Sequence, residues 1–291
     1  METVRIDATR CTLCGTCIPV CVRHILECGE NSVEVTDPTQ CILCGHCKAV
    51  CPEDAIQIPS LDAQEFTPIP EKGALPSPDS LMDLMRARRS IRFFKDRPVE
   101  KETLRRIVEA GRYAPTGGNL QPFRHVVVTN PSTIETVRNL TTETLAAEGK
   151  KLQEALGEFL GKGQALTPVH QIQAAYAQIL QEMDRFRKQG TDRLFYHAPA
   201  LVVTYANPEW TRSLDVDAGL CAMQMVLMAE AFGLGTCFIG FLVMASELCP
   251  EIKKTLDIPA RHKVPVAFVA GYPDVRFLRL VSRRKARVQW L

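Results

Sequence analysis

The sequence predicts an α+β chain in two parts, a small α+β head and a larger body of mixed strands and helices. Three observations carry this. Eight of the twelve cysteines form two copies of the pattern C-x2-C-x2-C-x3-C between residues 11 and 51. Residues 59–79 (PSLDAQEFTPIPEKGALPSPD) hold five prolines and little periodicity, which reads as an extended linker. Beyond it, apolar runs of strand length and amphipathic stretches of helix length follow one another without regular βαβ alternation. The expected domains are 1–58 and 80–291, joined by 59–79, and a body of about 200 residues is ordinary for one domain.

Taken in order, Met1 leads straight into a short charged strand over Thr3–Asp7. That is no signal peptide, so the chain reads as cytoplasmic, where thiols stay reduced. The first cysteine run is Cys11, Cys14, Cys17 and Cys21; the second, thirty residues on, is Cys41, Cys44, Cys47 and Cys51. Residues 9–21 (TRCTLCGTCIPVC) and 39–51 (TQCILCGHCKAVC) agree at eight of thirteen positions, the mark of a duplicated unit. This spacing holds iron–sulfur clusters in ferredoxin-type domains. There the fourth cysteine of each run ligates the other cluster. The expected ligand sets are therefore Cys11, Cys14, Cys17 and Cys51 for one [4Fe–4S] cluster, and Cys41, Cys44, Cys47 and Cys21 for the second. Gly15 and Gly45 let the backbone turn tightly around each cluster. Pro52 follows the second run as is usual, whereas Val22 follows the first. Zinc competes for C-x2-C pairs, but two complete tandem runs argue against it. Cys28 lies outside both runs and reads as a small buried hydrophobe.

After the linker, Asp79 or Ser80 is the expected cap of a helix, with Leu81, Leu84 and Met85 on one face. A second helix is expected over 100–111 and a strand over Phe123–Thr129. Residues 131–190 read as largely helical, broken near Gly161–Gly163 and Pro168, an excursion suited to a lid or a dimer arm. Leu201–Tyr205 reads as a buried strand and Leu214–Leu234 as a long helix, apolar nearly all round and so central to the core. A short strand or turn at Thr236–Gly240, a helix over Ser246–Leu256 and a strand over Val264–Gly271 complete the body. Val288–Leu291 reads as a further strand that pairs with something.

Composition excludes some classes. Hydrophobic residues make up 46% of the chain, enough for a packed core, yet no apolar run reaches the ~18 residues of a membrane span. Residues 1–60 hold four basic and eight acidic side chains, a net of −4, so the remainder of this +2 chain carries +6. An acidic head on a basic body is not a nucleic-acid pattern and suits a body that binds an anionic cofactor or substrate.

Four segments of the body, in order, resemble the nitroreductase family of FMN-dependent oxidoreductases. They are RRSIRFF (Arg88–Phe94), APTGGNLQPFRHVVV (Ala114–Val128), DAGLCAMQMVLMAEAFGLGTCFIGF (Asp217–Phe241) and the basic tail RRKARVQW (Arg283–Trp290). The resemblance implies a mixed sheet flanked by helices and a homodimer with FMN at the subunit interface. It implies FMN contacts from Arg88, Arg89, Ser90 and Arg92, the last of these near N1 and O2 of the ring. A guanidinium fork suits the phosphate, and a permanent cation by the ring favours the anionic reduced flavin. It implies that the loop of Pro115, Thr116, Gly117 and Asn119, with Gln121, reaches the flavin from the neighbouring subunit. The backbone of Cys237, Phe238, Ile239 and Gly240 is expected against one ring face, and Arg283, Arg284 and Lys285 are the candidates for the phosphate. In the family the C-terminal extension adds a strand to the partner's sheet. Cys237, Cys221 and Cys249 read as inert packing thiols.

Clusters pass single electrons, whereas FMN stores two and passes a hydride. The expected path runs from a low-potential donor such as reduced ferredoxin, through both clusters, to FMN and on to a small-molecule acceptor (a nitroaromatic, a quinone or an activated alkene). No G-x-G-x-x-G follows a strand, but the family binds nicotinamide directly over its flavin, so NAD(P)H stands as an alternative donor. No side chain singles itself out as a general acid. Two other readings stand beside this one: a flavin-containing redox sensor or relay without a dedicated substrate, and a specialised flavin enzyme, such as a dehalogenase or biosynthetic reductase, on the same scaffold.

Overall fold

The computed structural model describes residues 3–162 and 167–291. Gly163, part of the expected helix break, lies outside them. The chain forms two compact units. The smaller runs through Pro76 and also takes in the segment Thr116–Leu120; the larger comprises Ser77–Pro115 and Gln121–Leu291.

The smaller unit contains β1 (Arg5–Ile6), β2 (Leu26–Cys28), β3 (Val33–Val35), α1 (His46–Val50) and β4 (Ile56–Gln57). β1 pairs antiparallel with β4, and β2 with β3, so each half of the duplicated sequence contributes to a two-stranded ribbon. Ribbons this small are not stable alone. Val4, Ile25, Leu26, Val33, Ile56 and Ile58 pack with Cys17 into a core, with most of the other run cysteines around it. Cys28 is exposed, contrary to its expected burial. Residues 59–76 of the proline-rich stretch belong to this unit and carry two 3-10 turns, Ala63–Glu65 and Lys72–Ala74, while its last three residues open the first helix of the larger unit.

The larger unit follows with α2 (Pro78–Ala87), α3 (Lys101–Arg112), β5 (Arg124–Val128), α4 (Pro131–Gly161), α5 (Pro168–Lys188), β6 (Ala200–Ala206), α6 (Leu214–Ala231), β7 (Gly235–Phe238), α7 (Gly240–Leu248), α8 (Pro250–Thr255) and β8 (Lys263–Gly271). Its sheet has the order β5-β6-β8-β7 with antiparallel ladders. A parallel bridge between Ser90 and Thr236 makes it mixed. Strand periodicity divides the core. Leu201, Val203, Ala267 and Val269 face one layer with α4, α5, α7 and α8, while Ala200, Val202, Phe268 and Ala270 face α3 and α6. β6 is buried on both faces, which is why it reads as one apolar run.

Two glycines mark backbone approaches. A Cβ at Gly111 of α3 would strike Met225 and Cys221 of α6, and one at Gly149 of α4 would lie 2.9 Å from the Ala177 carbonyl oxygen of α5. The helix starts are capped locally. The Asn130 side chain accepts from Thr133 N, and Thr167 and His170 form a capping box at α5.

Three expected elements differ. α2 is capped by Ser77, whose Oγ accepts from Ser80 N, with Pro78 as its first residue, an order that suits proline better than a later cap. The helix expected over 246–256 is two helices, because Pro250 cannot donate to the preceding turn and opens a new one. Residues 274–291 carry no helix or strand, and Val288, Trp290 and Leu291 are exposed. A lone extended segment has no ladder to join.

Candidate functional site

The smaller unit holds two cavities. One is lined by Cys11, Cys14, Cys17 and Cys51, the other by Cys21, Cys41, Cys44 and Cys47. The crossed sets follow from the local backbone. Leu13 and Leu43 both adopt positive φ (57° and 53°), as do Gly15 and Gly45 (69° and 76°), so three cysteines of each run wrap one cavity. The fourth then leaves toward the other. Backbone amides approach the sulfurs: Val33 N lies 3.5 Å from Cys11 Sγ, and Ala55 N lies 3.3 Å from Cys51 Sγ. Burial pushes the Cys47 thiol up to about 11, and the negative charges of Cys44, Cys41 and Cys21 add to it. Cys17 is raised in the same way, by burial and then by Cys51, Cys14 and Cys11. Four thiolates crowded around one small cavity repel one another until cations neutralise them, and this donor set fits an iron–sulfur cluster.

In the larger unit a second constellation forms where Arg88–Arg92 passes β7. The Ile91 amide donates to the Thr236 carbonyl at 2.9 Å, and the Ser90–Thr236 bridge holds the segment alongside. Arg92 sits over the Tyr196 ring, 5.8 Å from its centroid, and interacts electrostatically with the Cys237 thiol and the Tyr196 phenol. Burial raises the Cys237 thiol, and Arg92 and Ser90 partly offset this. Burial likewise raises the Tyr196 phenol. Arg88 Nε is buried without a hydrogen-bond partner among the described residues, a donor suited to an anion. Burial raises the Glu230 carboxyl, and Arg88 and Arg89 pull it back. Past Cys237, Phe238 is partly exposed, Ile239 is the cap residue, and α7 begins at Gly240. The first N–H groups of a helix lack intrahelical partners and face outward as donors. A buried arginine donor, a second cation beside a hydroxyl, and free amides at a helix start fit the phosphate, ribityl chain and ring of FMN.

The remaining residues expected at the flavin have these surroundings in the chain. Arg89 donates to the Arg279 carbonyl at 3.1 Å and stacks over Phe277 at 4.0 Å, so it grips the tail. Arg283, Arg284 and Lys285 lie exposed in that tail. Asn119 Nδ2 donates to the carbonyls of Ile42 and Leu43, at 2.9 and 3.1 Å. Pro115 is exposed, and Thr116, Gly117 and Asn119 fall in the segment that packs with the smaller unit, while Gln121 (φ 45°) falls outside it.

Tyr196 is the residue that sequence reasoning missed. It and His197 have left-handed φ (59° and 54°). Asp192 holds them there, accepting from the amides of Leu194, Phe195 and His197, and is itself 3.6 Å from Arg138. The signal was a buried-strand approach, Asp192 to Pro199, studded with polar residues.

Residues 85–272 match the nitroreductase family model. The chain belongs to the nitroreductase family. Residues 34–57 match the 4Fe–4S binding domain. Among its relatives, an NADH dehydrogenase of Thermus thermophilus is 29% identical over 64% of this chain and 83% of that protein. A 4-nitrobenzoate reductase of Nocardioides sp. is 26% identical over 70% and 84%. An FMN-bound nitroreductase of Bacteroides fragilis NCTC 9343 superposes with a TM-score of 0.54 at 20% identity, covering 73% of this chain and 98% of that one. The family makes this chain an oxidoreductase of the nitroreductase type, with a 4Fe–4S match in its head, where the cysteine run occurs twice.

Proposed function

We propose that this protein is an iron–sulfur flavoprotein reductase. It carries two [4Fe–4S] clusters, on Cys11, Cys14, Cys17 and Cys51 and on Cys21, Cys41, Cys44 and Cys47, and passes electrons from a low-potential donor to FMN and on to an organic acceptor. The observation that carries this reading is the pair of four-cysteine cavities in a chain of the nitroreductase family. FMN, when bound, converts single electrons into two-electron reduction of a nitro, quinone or activated alkene group. The chain's own residues bind and bias it. Arg88 offers its buried Nε to the phosphate. Arg92, held by Tyr196 and Cys237, keeps a permanent cation beside the ring and favours its reduced, anionic state. The amides at the start of α7 donate to the ring edge. Arg283, Arg284 and Lys285 of the exposed tail are the further candidates for the phosphate in a homodimer.

The test is anaerobic reconstitution followed by stopped-flow reduction. About eight iron atoms and one FMN per chain are expected. Reduced ferredoxin should reduce the flavin faster than NADH or NADPH. Equal rates in chains lacking either cluster would remove the clusters from the path. A nicotinamide donor is the second reading, favoured by the relative named NADH dehydrogenase; flavin reduction by NADH that ignores the clusters would establish it.

A further inference from the structure

We propose that the Thr16 hydroxyl tunes the first-run cavity: it donates to the Cys14 sulfur and helps make the cluster held there the more readily reduced of the two. This rests on the reading that both cavities hold clusters. Thr16 Oγ1 lies 2.9 Å from Cys14 Sγ. A cysteine that ligates iron is a thiolate with no proton to give, so the hydroxyl is the donor. Two backbone amides act on the same cavity, Val33 N at 3.5 Å from Cys11 Sγ and Ala55 N at 3.3 Å from Cys51 Sγ. Three of the four cysteine sulfurs that line it, on Cys11, Cys14 and Cys51, thus accept a hydrogen bond. Taking up one electron adds one negative charge to a cluster, and part of that charge falls on its sulfurs. Donors aimed at those sulfurs stabilise the reduced state more than the oxidised one and raise the potential.

The surroundings push the same way. Leu13, Cys14 and Thr16 are exposed, so water also solvates the added charge at the first loop. A Cβ at Gly15 would meet nothing within 4 Å, whereas one at Gly45 would lie 3.1 Å from the Phe66 ring, which covers the second loop. His46 stands in the second run where the first has Thr16, so the matching turn carries no hydroxyl. Two charged side chains oppose this order, since Glu53 lines the first cavity and Arg23 the second. Both are exposed, and water and salt screen them. The hydrogen bonds are made on the sulfurs themselves.

The test is an EPR-monitored redox titration of the full, anaerobically reconstituted chain, with Cys14→Ser and Cys44→Ser assigning the two signals. In the wild type the first-run cluster should be reduced at the higher potential. Thr16→Val keeps the shape and removes the hydroxyl. It should lower that cluster's reduced-to-oxidised ratio at a fixed potential by roughly fivefold, the worth of about one net hydrogen bond, and leave the second unchanged. Thr16→Ser keeps the hydroxyl and should keep the wild-type potential. Three results would each overturn the proposal while leaving the two-cluster reading intact: the second-run cluster reduced first, no shift in Thr16→Val, or the same shift in Thr16→Ser as in Thr16→Val. A single cluster signal in the wild type would overturn both.

Discussion

The two cysteine runs share eight of thirteen residues and the same left-handed turns, yet their surroundings differ. The first loop lies open, with Leu13 at 38% exposure and Cys14 exposed. The second is covered by Phe66, sits near Leu61, and is clasped by Asn119. Lys48, where the first run has Ile18, lies 5.3 Å from the Phe66 ring and pairs with Asp54. A duplicated sequence makes two similar cavities; Lys48 and the exchange of Thr16 for His46 apart, what distinguishes them comes from residues outside the repeat.

The largest effect expected is loss of a cluster. Cys14→Ser and Cys44→Ser should each remove about four iron atoms, measured by iron and sulfide content. Both should slow ferredoxin-driven flavin reduction, since the proposed path uses both clusters. If either variant keeps full flavin reduction, that cluster lies off the path. Arg88→Ala separates flavin from clusters: it should weaken FMN binding by about 10- to 100-fold, as losing a charge-assisted hydrogen bond does, with both cluster signals unchanged. Fluorescence of released FMN reads this.

Gly→Ala substitutions sharpen the contrast in cover. Both glycines have positive φ, so each variant should lose ~1–2 kcal/mol of stability. Gly45→Ala should lose more than Gly15→Ala, because its new methyl also meets Phe66. Thermal unfolding of the cluster-loaded proteins compares them, and equal losses would mean that the cover is loose. The smallest effect is expected of Lys48→Ile, which restores the residue of the first run. Its ion pair with Asp54 is half solvent-facing, with Asp54 at 60% exposure, so stability should change by under ~1 kcal/mol in chemical denaturation.

The cysteine spacing made the crossed cysteine sets that line the two cavities legible, because ferredoxin-type runs send their fourth cysteine to the other site. The body's strands and long helices were legible from period and capping, to within a residue or two at β6 and β8. The tertiary facts were not. That Asn119 meets Ile42 depends on a pairing 77 residues apart that no local pattern encodes. Arg89 looks like its neighbours in the basic segment, and its engagement with Arg279 and Phe277 depends on where the tail returns. Tyr196 owes its place to Asp192, whose turn-forming role is common to many aspartates and announces nothing about Arg92. The cap at Ser77 was hidden by two equally good candidates just after it.

At Gly149 the backbones of α4 and α5 come together with no side chain between them to slide or compress. The close approach holds α4, ~46 Å long, against α5. α5 in turn rests on α7, where Tyr176 meets Phe241 at 5.8 Å and its hydroxyl lies 3.7 Å from Met244 Sδ. The helix pair therefore braces the helix whose first residue, Gly240, borders the segment proposed to face the flavin.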